Sequence, residues 1–173
     1  GAAWSARLRG LRSLHHLVSG RDRPDRRVAG ASSPGSNMNG VANQCCQNPY
    51  EIQPATIVEK ISEAEDIETF RLRFVNQATR RGFRFAPGQF NMVYVFGVGE
   101  VAISIVSDPG QPGLLDHTIR VVGRVTKAIG RLKPGDVLGL RGPYGVGWPL
   151  DEARDKDVII VTGGLGCAPV VGA

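Results

Sequence analysis

From Pro54 onward the chain alternates apolar and polar positions in short runs divided by turn residues. The alternation is clearest from Ile67 to Val75 (IETFRLRFV), with Glu68, Phe70, Leu72 and Phe74 on one face and Ile67, Thr69, Arg71 and Arg73 on the other. A period of two belongs to a half-buried strand, so Phe70, Leu72 and Phe74 are expected to face a core. Pro54 to Ser62 (PATIVEKIS) is rich in β-branched residues and forms the preceding strand, with EAEDI as the polar turn between the two. Asn76 to Arg84 then reads as a basic loop and Pro87-Gly88 as a tight turn. Further strands are expected over Gln89–Phe96, Val101–Ser107, Asp116–Gly123 and Asp136–Arg141, with turns at Gly97–Glu100 and Asp108–Gly113.

Six short strands and one small helix late in the series predict a mainly β fold, a closed six-stranded antiparallel barrel of Greek-key type. Closure removes the exposed edges that a small β domain otherwise has to protect. A β-sandwich is the alternative. The small helix lies in the stretch Arg120 to Gly145 (RVVGRVTKAIGRLKPGDVLGLRGPYG). A strand that stops at Gly123 and gives way to a helix near Thr126 leaves backbone N–H groups unpaired, and these favour an anion. The competing reading makes Thr126 a helix cap and Gly123 a turn residue.

After Pro149 the pattern changes. A charged segment, Asp151 to Asp157, leads into Val158 to Thr162 (VIIVT), apolar on both faces and expected to be a parallel strand covered by helices. The glycines of GGLGCAP, Gly163 to Pro169, follow it. Strand, clustered glycines and helix start open a nucleotide-binding βαβ unit, although a glycine turn alone is a weak signal. The expected organisation is therefore a leader over 1–48, a barrel over 49–153, and the first strand of an α/β domain over 154–173. That last domain is expected to be truncated.

Composition narrows the function classes. The hydrophobic fraction is 42%, enough for a core, and no apolar run approaches a membrane span. The net charge of +5 comes from the leader, where residues 1–37 carry seven arginines and two aspartates. Residues 38–173 hold 14 basic and 14 acidic residues, a balance that argues against nucleic acid as a partner. Cys45, Cys46 and Cys167 make neither a disulfide framework nor a four-ligand metal set. His117 is the only histidine beyond the leader, and no Ser/His/Asp set can be built on it. The first twenty residues are Arg-rich without acids, a faint likeness to a transit peptide, and Arg23 to Asn37 is expected to be disordered. Met38 is the expected natural start.

Three features now stand in order: PGQF at 87–90, the pair VGRVT and RGPYG between Val122 and Gly145, and VTGGLGCAP at 161–169. This order resembles the ferredoxin reductase-type flavoproteins, and more narrowly the flavin-binding gamma subunits of cytoplasmic hydrogenase/sulfur reductase complexes. The electron-transfer subunit of dihydroorotate dehydrogenase and its counterpart in anaerobic sulfite reductase are similar. NPYEIQPATIVEKI (48–61), FGVGEVAISIVS (96–107) and TKAIGRLKPGDVLGLRGPYGVGWP (126–149) extend the resemblance over residues 48–173.

The resemblance implies an FAD-binding barrel and an NAD(P)H-binding α/β domain. Hydride passes from nicotinamide to flavin N5, and electrons leave singly through a [2Fe–2S] cluster held by a later part of the chain or by a partner. Many members carry Arg-x-Tyr-Ser along the flavin; the matching residues here are Val101, Ala102, Ile103 and Ser104, so only the serine is kept. Ser104 becomes the expected catalytic residue, flanked by Ile103 and Ile105; a hydroxyl merely satisfied by the next strand is its alternative. Val122, Gly123, Arg124, Val125 and Thr126 match the pyrophosphate loop, with Arg120 or Arg124 adding charge. Gly142, Pro143, Tyr144 and Gly145 match a loop beside the flavin, and Gly163, Gly164 and Gly166 would approach the nicotinamide cofactor's phosphates once the rest of that domain is present. No metal ligand is implied within the chain. The implied partners are iron–sulfur or catalytic subunits of a cytoplasmic hydrogenase/reductase complex, without nucleic acid or membrane insertion. A non-enzymatic β-barrel interaction module is the competing function.

Overall fold

The period-two run starting at Ile67 forms strand β2 (Ile67–Phe74), and a two-residue turn joins it to β1 (Gln53–Ala64). Asp66 adopts φ 57° in that turn, a conformation that Asp tolerates and that suits the twist of a tight hairpin. The structure is a computed structural model and describes residues 48–172 apart from 49 and 112. The expectations for the leader fall outside the described residues.

Four more strands follow: β3 (Phe90–Val95), β4 (Gly99–Ser104), β5 (Leu115–Arg120) and β6 (Val137–Tyr144). All six expected strands are present in one antiparallel sheet, in the order β4-β3-β6-β1-β2-β5. The edge strands β4 and β5 meet without forming a ladder. Instead the chain leaving β4 changes partners: Ile105 N–H donates to Gln89 O (3.0 Å), and Val106 N–H donates to Asp116 O (2.9 Å). This switch from β3 to β5 curls the sheet into a barrel, and it explains why the fourth strand ends at Ser104 rather than at the expected Ser107.

The core is built from the inward positions of every strand. Ile57, Phe70, Leu72, Val93, Ile119, Leu138 and Leu140 are buried together with Ile105. Burying each such side chain contributes about 1.5–3 kcal/mol. Thr69, expected on the outer face of β2, is also fully buried. A bulge in β1 between Ser62 and Ala64 explains it, because Glu63 turns inward and Thr69 Oγ1 donates to its carboxylate at 2.8 Å. Thr118 Oγ1 completes the group, 2.8 Å from Thr69 Oγ1.

Three short helices decorate the barrel. The expected basic loop at 76–84 contains α1 (Gln77–Gly82), capped by Asn76, whose Oδ1 accepts from the N–H of Ala78 (2.8 Å) and Thr79 (3.2 Å). Helix α2 (Arg124–Gly130) closes one end, with Ile129 buried in the core and Lys60 Nζ donating to Gly130 O at its last turn. Gly123 is the cap of α2, so Thr126 is the third helical residue and not the cap. Helix α3 (Leu150–Ala153) and a 3-10 helix (Gly164–Val170) complete the described chain. The strand expected over Val158–Thr162 is absent: no described segment pairs with it, and Ile159 and Val161 are 88% and 89% exposed. A strand needs ladder partners, which apolar composition does not supply.

Candidate functional site

The expected site residues gather along edge strand β4. At its beginning lies the start of α2: a Cβ placed on Gly99 would stand 3.6 Å from Val125 Cγ2 and 3.8 Å from an Arg124 guanidinium nitrogen. Within the α2 loop, Thr126 Oγ1 accepts from the N–H of Val122 (3.1 Å) and Gly123 (2.8 Å) and donates to Gly123 O (3.2 Å). A hydroxyl has one donor and two acceptor sites, so this one is fully used. Its work is to shape the loop. The N–H groups of Arg124, Val125 and Thr126 then head the helix, where no intrahelical carbonyl can reach them. No acidic residue occupies that first turn, Arg124 is exposed, and Val122 is exposed beside it.

Ser104 lies at the other end of β4, five residues and roughly 17 Å along the strand. In the pairing register it stands opposite Phe90 of β3, and Phe90 in turn stands opposite Tyr144 of β6. The Phe90 and Tyr144 rings are 5.8 Å apart. Gln89 ties the loop after β6 to this end: its Nε2 donates to Gly145 O (2.8 Å), while its Oε1 accepts from Ala86 N–H (2.8 Å). Gln89, expected as the first residue of the third strand, precedes β3 and organises a turn that includes Gly145. Gly142, Pro143 and Tyr144 lie in β6 and are half-buried.

Two expectations change in detail. Ile105 is a core residue, with its side chain 2% exposed, and Ile103 is half-buried and packs against that core, which leaves half-buried Ser104 as the polar member of the three. Gly163, Gly164 and Gly166 lie outside this cluster; a Cβ on any of them would meet nothing within 4 Å. The end of the 3-10 helix does touch the barrel, where Trp148 Nε1 donates to Pro169 O at 2.8 Å.

Beneath Ser104 lies His117, fully buried on β5. Its Nδ1 is 2.9 Å from Ser104 O and its Nε2 is 3.2 Å from Asn91 Nδ2. Burial outweighs the carbonyl of Ser104 and the charge of Asp116 and pushes the His117 pKa down to about 4. The imidazole is therefore neutral near pH 7. Sequence reasoning set His117 aside and passed over Asn91. The available signal was a polar residue at an inward position of FNMVYV, in phase with the buried Val93.

Residues 54–147 match the model of the oxidoreductase FAD-binding domain. The chain belongs to the oxidoreductase FAD-binding domain family. The chain is 42% identical over 123 residues to the sulfhydrogenase 1 gamma subunit of Pyrococcus furiosus, covering 71% of this chain and 42% of the relative. A probable dihydroorotate dehydrogenase B electron transfer subunit of Methanocella arvoryzae is 39% identical over 116 residues, covering 67% of this chain and 40% of the relative. The chain thus spans less than half the length of these relatives. Among solved structures, the Amycolatopsis cytochrome P450 reductase GcoB aligns with TM-score 0.61 and 26% identity, over 70% of this chain and 37% of that one. Plasmodium falciparum ferredoxin-NADP+ reductase shares the fold, with TM-score 0.56 and 21% identity over 69% of this chain and 49% of that one. The expected resemblance to ferredoxin reductase-type and hydrogenase gamma-type proteins is borne out, as is the mainly β, six-stranded antiparallel fold.

Proposed function

We propose that residues 48–173 are the FAD-holding part of an NAD(P)H-linked electron-transfer oxidoreductase subunit. The observation that carries this reading is the placement of the α2 start and the Ser104/Tyr144 cluster at opposite ends of one exposed edge strand within the family's matched range. The donor chemistry fits FAD. The N–H groups of Arg124, Val125 and Thr126, with the Arg124 guanidinium near and no acid in the turn, suit a diphosphate. Along β4, Val101 and Ile103 are half-buried and anchor the strand on the core, and Ser104 supplies a hydroxyl suited to the polar edge of a flat ring.

When bound, FAD would supply the redox chemistry, taking a hydride at N5 and releasing electrons singly. This chain's own residues bind and orient. The helix-start N–H groups and Thr126-shaped loop would fix the charged end, Ser104 would offer a hydrogen bond near the ring, and the end of β6 from Gly142 to Tyr144, in a strand and not the expected loop, would stand beside it. NAD(P)H would be held by Gly163, Gly164 and Gly166 together with further α/β structure. Electrons would pass to an iron–sulfur or catalytic partner subunit in a cytoplasmic complex. The relatives' names, a sulfhydrogenase gamma subunit and an NAD(+)-type dihydroorotate dehydrogenase B electron transfer subunit, support the subunit and electron-transfer parts of this reading.

Titration of the purified chain with FAD, followed by visible absorption and flavin fluorescence, tests the reading. Saturable uptake with shifted flavin bands is expected. A folded protein that takes up no FAD would overturn it.

A further inference from the structure

One buried polar chain of contacts is left unused by the cofactor reading. His117 and Asn91 are both 0% exposed. A carbonyl only accepts, so the His117 nitrogen facing Ser104 O must carry the proton, and Nε2 is left bare to accept the Asn91 amide N–H. Tautomer and amide orientation are fixed together. The amide oxygen of Asn91 is then buried without a hydrogen-bond partner among the described residues, and it faces Gly142, where a Cβ would collide with it. The contacts run Gly142, Asn91, His117, Ser104, crossing from β6 through β3 and β5 to β4.

Both ends of that path are segments that flank the flavin in the proposed reading. The seam it crosses, between β4 and β5, lacks a ladder among the described strands, so Ser104 is paired with Phe90 on its β3 side and on its β5 side is held by the His117 side chain. An apolar pair would fill the same space without burying an unpaired oxygen, at lower cost to the fold. What an apolar pair cannot supply is direction. We infer that Asn91 and His117 are a positioning pair that sets where Ser104 and the Gly142 segment stand against the flavin ring, an inference that rests on the FAD reading of this surface.

The test uses the full chain with FAD, comparing wild type with His117→Leu, Asn91→Leu and His117→Gln. A glutamine amide can donate to Ser104 O and accept from Asn91, so His117→Gln should keep the wild-type flavin spectrum and potential. The leucine variants should raise the FAD dissociation constant about tenfold, the effect of losing one buried hydrogen bond. If oxidised and reduced flavin are affected unequally by a further tenfold, the two-electron potential moves by about 30 mV. Should a leucine variant fail to fold, His117→Asn, too short to reach both partners, is read in the same way. Folded variants with unmoved affinity, spectrum and potential would overturn the inference, since a purely structural role lowers the unfolding temperature alone. Wild-type protein that takes up no FAD would instead bring down the cofactor reading, and this inference with it.

Discussion

Two four-residue runs of this chain are apolar throughout and have opposite fates. In β6, Leu138 and Leu140 of VLGL are 0% and 1% exposed; in VIIV, Ile159 and Val161 are 88% and 89% exposed. The difference lies in partners. Strand β6 pairs with β1 on one side and β3 on the other, and its inward side chains meet the core formed by Ile57, Phe70 and Leu72. The run at 158–161 meets no described strand. Apolar residues describe what a segment can bury, and the fold decides whether it does.

The largest expected effect puts that contrast to the test. Leu138→Ala should lower the unfolding free energy by about 2–5 kcal/mol, because it empties a close-packed core. Ile159→Ala should stay within about 0.5 kcal/mol, as exposed substitutions do. Urea unfolding of both variants measures this, and equal losses would break the comparison.

A second contrast, between buried and exposed polar groups, yields a pH effect. The folded-state pKa of His117 is about 4 against an ordinary 6.5. Its contribution to stability is complete above pH 6.5. As pH falls toward 4 the unfolded chain takes up the proton first, and about 3 kcal/mol is lost. Below pH 4 this loss levels off. The difference between wild type and His117→Gln, followed by thermal unfolding from pH 7 to pH 4, isolates it; parallel curves would contradict the assignment.

Smaller effects are expected at the α2 loop. Thr126→Val removes a hydroxyl that satisfies two N–H groups and one carbonyl. It should cost about 1–3 kcal/mol of stability and weaken FAD binding by a similar amount. Calorimetry and FAD titration of the same variant give both numbers, and unchanged FAD affinity would show that the loop Thr126 shapes does not hold the diphosphate. Gly123→Ala is milder. Gly123 has φ −98°, open to any residue, and a Cβ there would meet Thr126 Oγ1 at an ordinary 3.7 Å. Its stability should change by no more than about 0.5 kcal/mol, as thermal unfolding would show.

These regions also differ in how far they could be read from residues alone. The six strands were legible because alternation and turn residues are local signals, as in IETFRLRFV. Helix α1 was not, since six residues are too few for a helical period to emerge and Asn76 reads equally well as a turn residue. The α2 loop was legible as an anion site, but which residue caps it was not: Gly123 and Thr126 differ by three positions, and only the hydroxyl's bonds decide their roles. Asn91 and His117 lie 26 residues apart and meet through the barrel interior, so neither carries a local mark of the other. The run at 158–162 shows the converse, a strong local pattern without the long-range pairing that would make it a strand.

The central claim, that edge strand β4 with the α2 start at one end and Ser104 at the other holds FAD, is tested most directly by equilibrium titration of the full chain with FAD. Saturable binding of one FAD per chain is expected, with altered flavin absorption and quenched fluorescence. Folded protein that remains colourless and shows no saturable uptake would contradict it.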